Sequence, residues 1–155
     1  MRTLRTVTDT RLAGAQLALL CPPECVIFLS GELGTGKTTL VRGFLQGLGF
    51  QGAVRSPSYT LLESYLHATT LVLHFDLYRV EDPMELEAIG IRDYTLQPAI
   101  WLIEWPDRGM HVDGSGLLPA PDLRGHLSQK GTTRQLQLNA YTNQGIQVLL
   151  SFPLR

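Results

Sequence analysis

The sequence predicts an α/β fold, a mixed and partly antiparallel sheet flanked by helices, as a single domain over residues 1–155. Three observations carry that expectation. A short apolar run, Cys25 to Ser30, passes through a glycine-rich turn straight into an amphipathic helix, the order of a parallel strand with a covering helix. A second such run, Ala99 to Glu104, suits another strand buried on both faces. Two pairs of strand-like segments are each closed by a short link, and hairpins of that kind make the sheet mixed.

Taken in order, a first helix is expected over about Thr10 to Leu20. Asp9 or Thr8 would cap it, Leu12, Gln16 and Leu19 or Leu20 fall at helical spacing, and Pro22-Pro23 stops it. Cys25 to Ser30 follows as a strand and Gly31 to Gly36 as the turn. A second helix runs from Lys37 to about Leu48, with Leu40, Val41, Phe44, Leu45 and Leu48 as its apolar stripe and Gly49 as its stop. After a loop to Pro57, Tyr59 to Tyr65 and Thr70 to Phe75 form a hairpin. Asp82-Pro83 opens a short helix that ends near Gly90. Ala99 to Glu104 is the next strand, and Asp107 to Asp122, rich in Gly, Pro and Asp, is an exposed loop. Leu123 to Gln129 and Arg134 to Tyr141 pair around Lys130-Gly131, and the tail from Thr142 fits helix or strand equally.

Composition narrows the function. With 44% hydrophobic and 17% charged residues and a net charge of -1, the chain is globular rather than disordered. That balance leaves no general nucleic-acid footprint, so DNA is not an expected partner and any contact with tRNA would be indirect or through a local patch. No apolar run approaches the length of a membrane span, and the N-terminus lacks a signal-type stretch. A cytoplasmic protein is expected. Cys21 and Cys25 have no second Cys or His pair with which to build a zinc site, and they read as two buried thiols in a reducing compartment.

The chemistry concentrates in Gly31-Glu32-Leu33-Gly34-Thr35-Gly36-Lys37-Thr38, which matches G-x-x-x-x-G-K-[ST]. Glycines let the backbone wrap an anion and turn its N–H groups inward, and the helix that starts at the lysine adds the positive end of its dipole. Lys37 supplies a compact charge for β- and γ-phosphates, and the Thr38 hydroxyl suits Mg²⁺, which needs few protein ligands. The match follows a buried strand and opens an amphipathic helix, the context such a loop requires. The chain has only two lysines, Lys37 and Lys130, so most surface cation roles fall to arginine.

Such a loop needs acids across the sheet. Two strand segments end in one, Asp76 and Glu104, where ligands bind in open α/β sheets. One carboxylate can hold the metal while the other orients attacking water. Ser56-Pro57-Ser58-Tyr59-Thr60 stands where a γ-phosphate sensor often lies, although by its residues alone it reads first as a turn before an edge strand. Arg79 could approach phosphates or pair with Glu81 or Asp82.

Together these segments resemble one family. The loop with Thr38-Thr39, Ser56 to Thr60, His74-Phe75-Asp76-Leu77-Tyr78-Arg79, the acidic helix through Gly90-Ile91-Arg92-Asp93 and Ile103-Glu104-Trp105-Pro106 look like TsaE (YjeE), over about Asp9 to Gly109 in order. The resemblance implies a P-loop NTPase-like fold and a weak Mg-dependent ATPase needed for threonylcarbamoyladenosine (t6A) formation in tRNAs that read codons beginning with A. It would not transfer the threonylcarbamoyl group itself but act with TsaD and TsaB, and reach tRNA through that complex. Carried over by motif, Asp76, Lys37 and Glu104 are catalytic, and Thr38 and Glu104 hold Mg²⁺. ATP would be bound by Leu33, Gly34, Thr35, Gly36, Lys37, Thr38, Thr39, Ser58 and Trp105, with Thr10 as the positional match for a contact from the first helix. Two departures stand out: Ser58 where the family usually has threonine, and a longer segment over Met110 to Gly116.

The alternative is a small-molecule or nucleoside kinase using the same loop. Kinases of that kind carry an arginine-rich lid, whereas no lid-like insertion follows the second helix here. A GTPase is disfavoured because no Asn-Lys-x-Asp segment occurs.

Overall fold

The computed structural model describes residues 1–153. Seven strands form one sheet: β1 (Arg2–Leu4), β2 (Val26–Ser30), β3 (Leu62–His67), β4 (Thr70–Asp76), β5 (Ile100–Glu104), β6 (Leu123–Lys130) and β7 (Thr133–Ala140), in the order β1-β7-β6-β2-β5-β4-β3. The centre, β6-β2-β5-β4, is parallel, and the flanking pairs β7–β6, β1–β7 and β3–β4 are antiparallel. Mixed pairing is the arrangement that the two hairpins demand, and the apolar runs occupy the centre, where both faces are covered.

Alternation along the strands sorts residues to two cores. Ile27, Leu29, Val72, Ile100 and Leu102 face α1 (Val7–Leu20), α2 (Lys37–Gly47) and α5 (Asn143–Ser151). Phe28, Leu73, Phe75, Trp101 and Ile103 face the short helices α3 (Glu85–Ala88) and α4 (Ile91–Tyr94) and the segment after β5. The same parity assigns His74, Asp76 and Glu104 to the face of Val72, Ile100 and Leu102, the α2 side. On the sheet's second face Phe75 and Trp101, diagonal neighbours on β4 and β5, stack with ring centroids 5.2 Å apart.

Helices α1 and α2 cross at backbone contact. A Cβ on Gly14 would stand 2.0 Å from the Leu40 carbonyl oxygen, and one on Gly43 2.0 Å from that of Arg11. Only glycine permits that approach, and it brings Thr10 of α1 against the turn at Gly36.

Several expectations are corrected. The first helix begins at Val7 and is capped by Thr6, whose hydroxyl accepts from the Asp9 N–H while the Asp9 carboxylate accepts from the Thr6 N–H. This reciprocal box makes Asp9 a third-position residue rather than the cap. Its buried face is Thr10, Ala13, Gly14, Leu17 and Ala18; Leu12 and Leu19 are exposed, because small residues are what close crossing with α2 selects. The strand expected from Tyr59 starts only at Leu62, after a turn in which Leu61 N–H bonds Pro57 O and Leu61 adopts φ 64°. The helix before Gly90 is one turn, with a second turn beyond that glycine. Asp82 is not its helix-end residue; Met84 is, and the Asp82 carboxylate accepts from the Met84 N–H.

The segment 107–122 is exposed at Asp107 and Arg108, over His111 to Gly116 and at Ala120, and buried or half-buried elsewhere. A 3₁₀ turn over Pro106–Gly109 is half buried, and Met110, Leu117 and Leu118 pack on the second core, where no long helix covers β2 and β5. The tail is helical over Asn143–Ser151, capped by Thr142. Strand β1 was too short for periodicity to reveal. Cys25 is buried and Cys21 half-buried; both are free thiols, and the adjacent Cys25 together with burial raises the pKa of Cys21.

Candidate functional site

Strands β2, β4 and β5 end together. In register Phe28 pairs with Ile103, and Asp76 with Glu104, so both acids emerge side by side next to the turn that follows β2. The turn carries Gly31, Gly34 and Gly36 at φ 132°, 79° and 105°. Gly36 is the residue before α2, and its left-handed backbone sends the first N–H groups of that helix, unpaired within it, toward the crevice.

The crevice has a volume of about 250 Å³ and is lined by Leu33, Gly34, Gly36, Lys37, Thr38, Thr39, Ser56, Ser58, Asp76, Tyr78, Glu104, Trp105 and Arg134. Eleven of the residues singled out from sequence are there, Ser56 among them. Thr35 is not: it is buried, and its hydroxyl donates to Glu32 O at 2.8 Å, holding the turn. Thr10 is not either. Its hydroxyl donates to Thr6 O at 3.2 Å, and its methyl packs behind Gly36. Arg79 fits neither reading made for it. Its guanidinium lies 4.4 Å from the ring centre of exposed Tyr59, away from the crevice.

Lys37 is 4% exposed. Its ammonium donates to Gly31 O at 2.7 Å and Glu32 O at 2.8 Å and lies 4.3 Å from the Trp105 ring centre. Burial lowers its pKa below the ordinary lysine value, while the Glu104 and Asp76 carboxylates act to raise it. Trp105 takes a left-handed conformation, φ 57°, which turns its ring over Lys37 and against Tyr78 at 5.0 Å.

Glu104 is 2% exposed and its carboxylate is held from two sides. The Thr38 hydroxyl donates to its oxygens at 2.9 and 3.2 Å, and His74 Nε2 lies 2.8 Å from Oε1. His74 is fully buried, and its Nδ1 has no partner. Asp76 accepts from the Ser58 hydroxyl at 3.2 Å and the Tyr78 N–H at 3.1 Å, and Ser58 Oγ lies 2.8 Å from Ser56 Oγ. The serine segment therefore lines the crevice and is tied to one of its acids.

Among the described residues no cluster of three or more His, Cys, Asp or Glu could hold a metal unaided. A hydroxyl beside a carboxylate is instead a donor set for a hard cation that takes its remaining oxygens from water and phosphate, and Thr38 with Glu104 fits Mg²⁺ in that way. Sequence reasoning missed Tyr78 and Arg134 as lining residues. Nothing local marks Arg134; only pairing of β7 to β6 carries it to the turn.

A family model described as threonylcarbamoyl adenosine biosynthesis protein TsaE matches residues 4–136. The chain is 46% identical over 142 residues to the tRNA threonylcarbamoyladenosine biosynthesis protein TsaE of Haemophilus influenzae, across 92% of this chain and 87% of that one. It is 37% identical over 103 residues to the protein of the same description from Bacillus subtilis, across 65% and 64%. Among solved structures, that of Bacillus subtilis YdiB superposes with a TM-score of 0.79 over 97% of this chain and 90% of that one, at 24% identity, a likeness of fold.

Proposed function

The chain belongs to the TsaE family, and on that premise we propose that it is the ATP-binding and hydrolysing subunit of tRNA t6A formation, working with TsaD and TsaB. One observation supports this above all. Lys37, Thr38, Asp76 and Glu104 line one crevice at the C-terminal ends of the central strands, with the N-terminus of α2 facing it.

The roles follow from the contacts. Backbone N–H groups of the turn and of the first turn of α2 cradle the phosphates. Lys37 is anchored by two loop carbonyls, which fixes its charge in place for the phosphate chain. Thr38 and Glu104 would hold Mg²⁺, which when bound neutralises charge between the outer phosphates. Asp76 keeps lone pairs free beyond its two bonds and orients the attacking water. Ser58 holds Asp76 in that orientation. Among the described residues the one arginine that lines the crevice, Arg134, comes from β7 and not from the strands that carry the two acids, which supports slow turnover by the isolated chain and faster turnover in the complex.

The experiment is reconstitution of purified chain with TsaD–TsaB, tRNA and the threonylcarbamoyl donor. The expected result is multiple rounds of modification that need this chain and ATP, with Asp76→Asn binding ATP but supporting no repeated turnover. Modification that proceeds equally without the chain, or transfer of the γ-phosphate to a small molecule as in a kinase, overturns the proposal.

A further inference from the structure

We propose that Arg134 binds the α-phosphate of the nucleotide, an inference that rests on the ATP reading above. Arg134 lines the crevice from β7, a strand from which no role was expected. Its side chain lies along the turn: a Cβ on Gly36 would be 3.4 Å from both its Cδ and its Nε. The Nε is buried and has no hydrogen-bond partner. Among the described residues no carboxylate lies within ion-pair distance of this guanidinium. What sets Arg134 apart from the other arginines is its place: it lines the crevice, and its buried Nε is left without the partner that a buried donor ordinarily has. A bound anion supplies the missing partner, and a planar guanidinium suits phosphate oxygens.

Position says which phosphate. The two acids and Lys37 mark the γ end on the β4–β5 side of β2, while β6 and β7 lie on the other side. A phosphate chain that crosses the turn from the acids reaches Arg134 with its last phosphate, beside Thr39 in the first turn of α2. Arg134 is thus a binding residue common to substrate and diphosphate product, and not a group that acts on the leaving phosphate.

The test titrates ATP and ADP, each with Mg²⁺, against the full chain and against Arg134→Met and Arg134→Lys, read by Trp105 fluorescence and by calorimetry. Arg134→Met should weaken ATP and ADP by the same factor, about tenfold or more for a lost charged hydrogen bond. Arg134→Lys, which keeps the charge but not the planar fork, should recover part of that loss, and the salt dependence of binding should fall in the Met variant. Unchanged affinities overturn the assignment. So does a loss confined to ATP, which puts the group at the γ end, or a loss that lysine does not recover, which makes the role one of packing. Wild-type chain that binds neither nucleotide overturns the ATP reading itself, whereas wild-type binding with an indifferent Arg134 overturns this inference alone.

Discussion

His74 Nε2 lies 2.8 Å from Glu104 Oε1 inside the sheet, on neighbouring parallel strands, with the histidine fully buried and the glutamate 2% exposed. A carboxylate at that depth holds its place only while its lone pairs are occupied. His74→Ala removes one partner and opens a cavity, so unfolding in urea should show a loss of about 2–3 kcal/mol. The same variant should bind Mg-nucleotide more weakly than wild type, because Glu104 is free to rotate away from Thr38.

Lys37→Ala should weaken ATP binding by about 10–100-fold, the worth of hydrogen bonds to a charged group in a shielded crevice. Titration followed by Trp105 fluorescence reads it, since that ring lies 4.3 Å from the ammonium. An unchanged affinity removes the turn at Gly31 to Thr38 from any phosphate-binding role.

Glu104→Gln keeps the shape and the bond from Thr38 but removes the negative charge. Paired titrations with Mg²⁺ and with a chelator should show a loss confined to the first. Equal losses in both would mean that the residue supports the fold of the site and not a cation.

Gly14→Ala drives a methyl into the Leu40 carbonyl across the α1–α2 crossing. The helices must separate, and the expected cost is about 3 kcal/mol, read as a lower denaturation midpoint. Because the crossing sets Thr10 behind Gly36, nucleotide affinity should fall as well.

The Asp9 carboxylate accepts from the Arg5 and Thr6 N–H groups at 2.8 and 2.9 Å, and these bonds hold its pKa below the ordinary aspartate value. Its contribution to stability is therefore complete above the unfolded pKa and is lost as pH falls through the lower folded value. Thr6→Ala should cost about 1 kcal/mol near neutral pH, with melting ~2–4 °C earlier for a chain of this size. In Asp9→Asn the acid-side decline of the melting temperature should be shallower than in wild type.

What the sequence determined alone is whatever depends on near neighbours along the chain. The turn at Gly31 to Gly36, the stripe of α2, the buried runs of β2 and β5 and the hairpin at Lys130-Gly131 are each read from a window of a few residues, and strand parity already puts Asp76 on the face of Val72 and Glu104 on that of Ile100. Other features have no local signature. Strand β1 exists because β7 offers it an edge; the first helix uses its small residues because α2 lies against it; the loop after Pro106 is half buried because a bare sheet face needs cover. The meeting of His74 with Glu104, of Ser58 with Asp76 and of Arg134 with Gly36 joins residues 30, 18 and about 100 positions apart. Only the tertiary structure decided those, because strand order is set by which faces can be buried together, and no stretch of chain carries that information by itself.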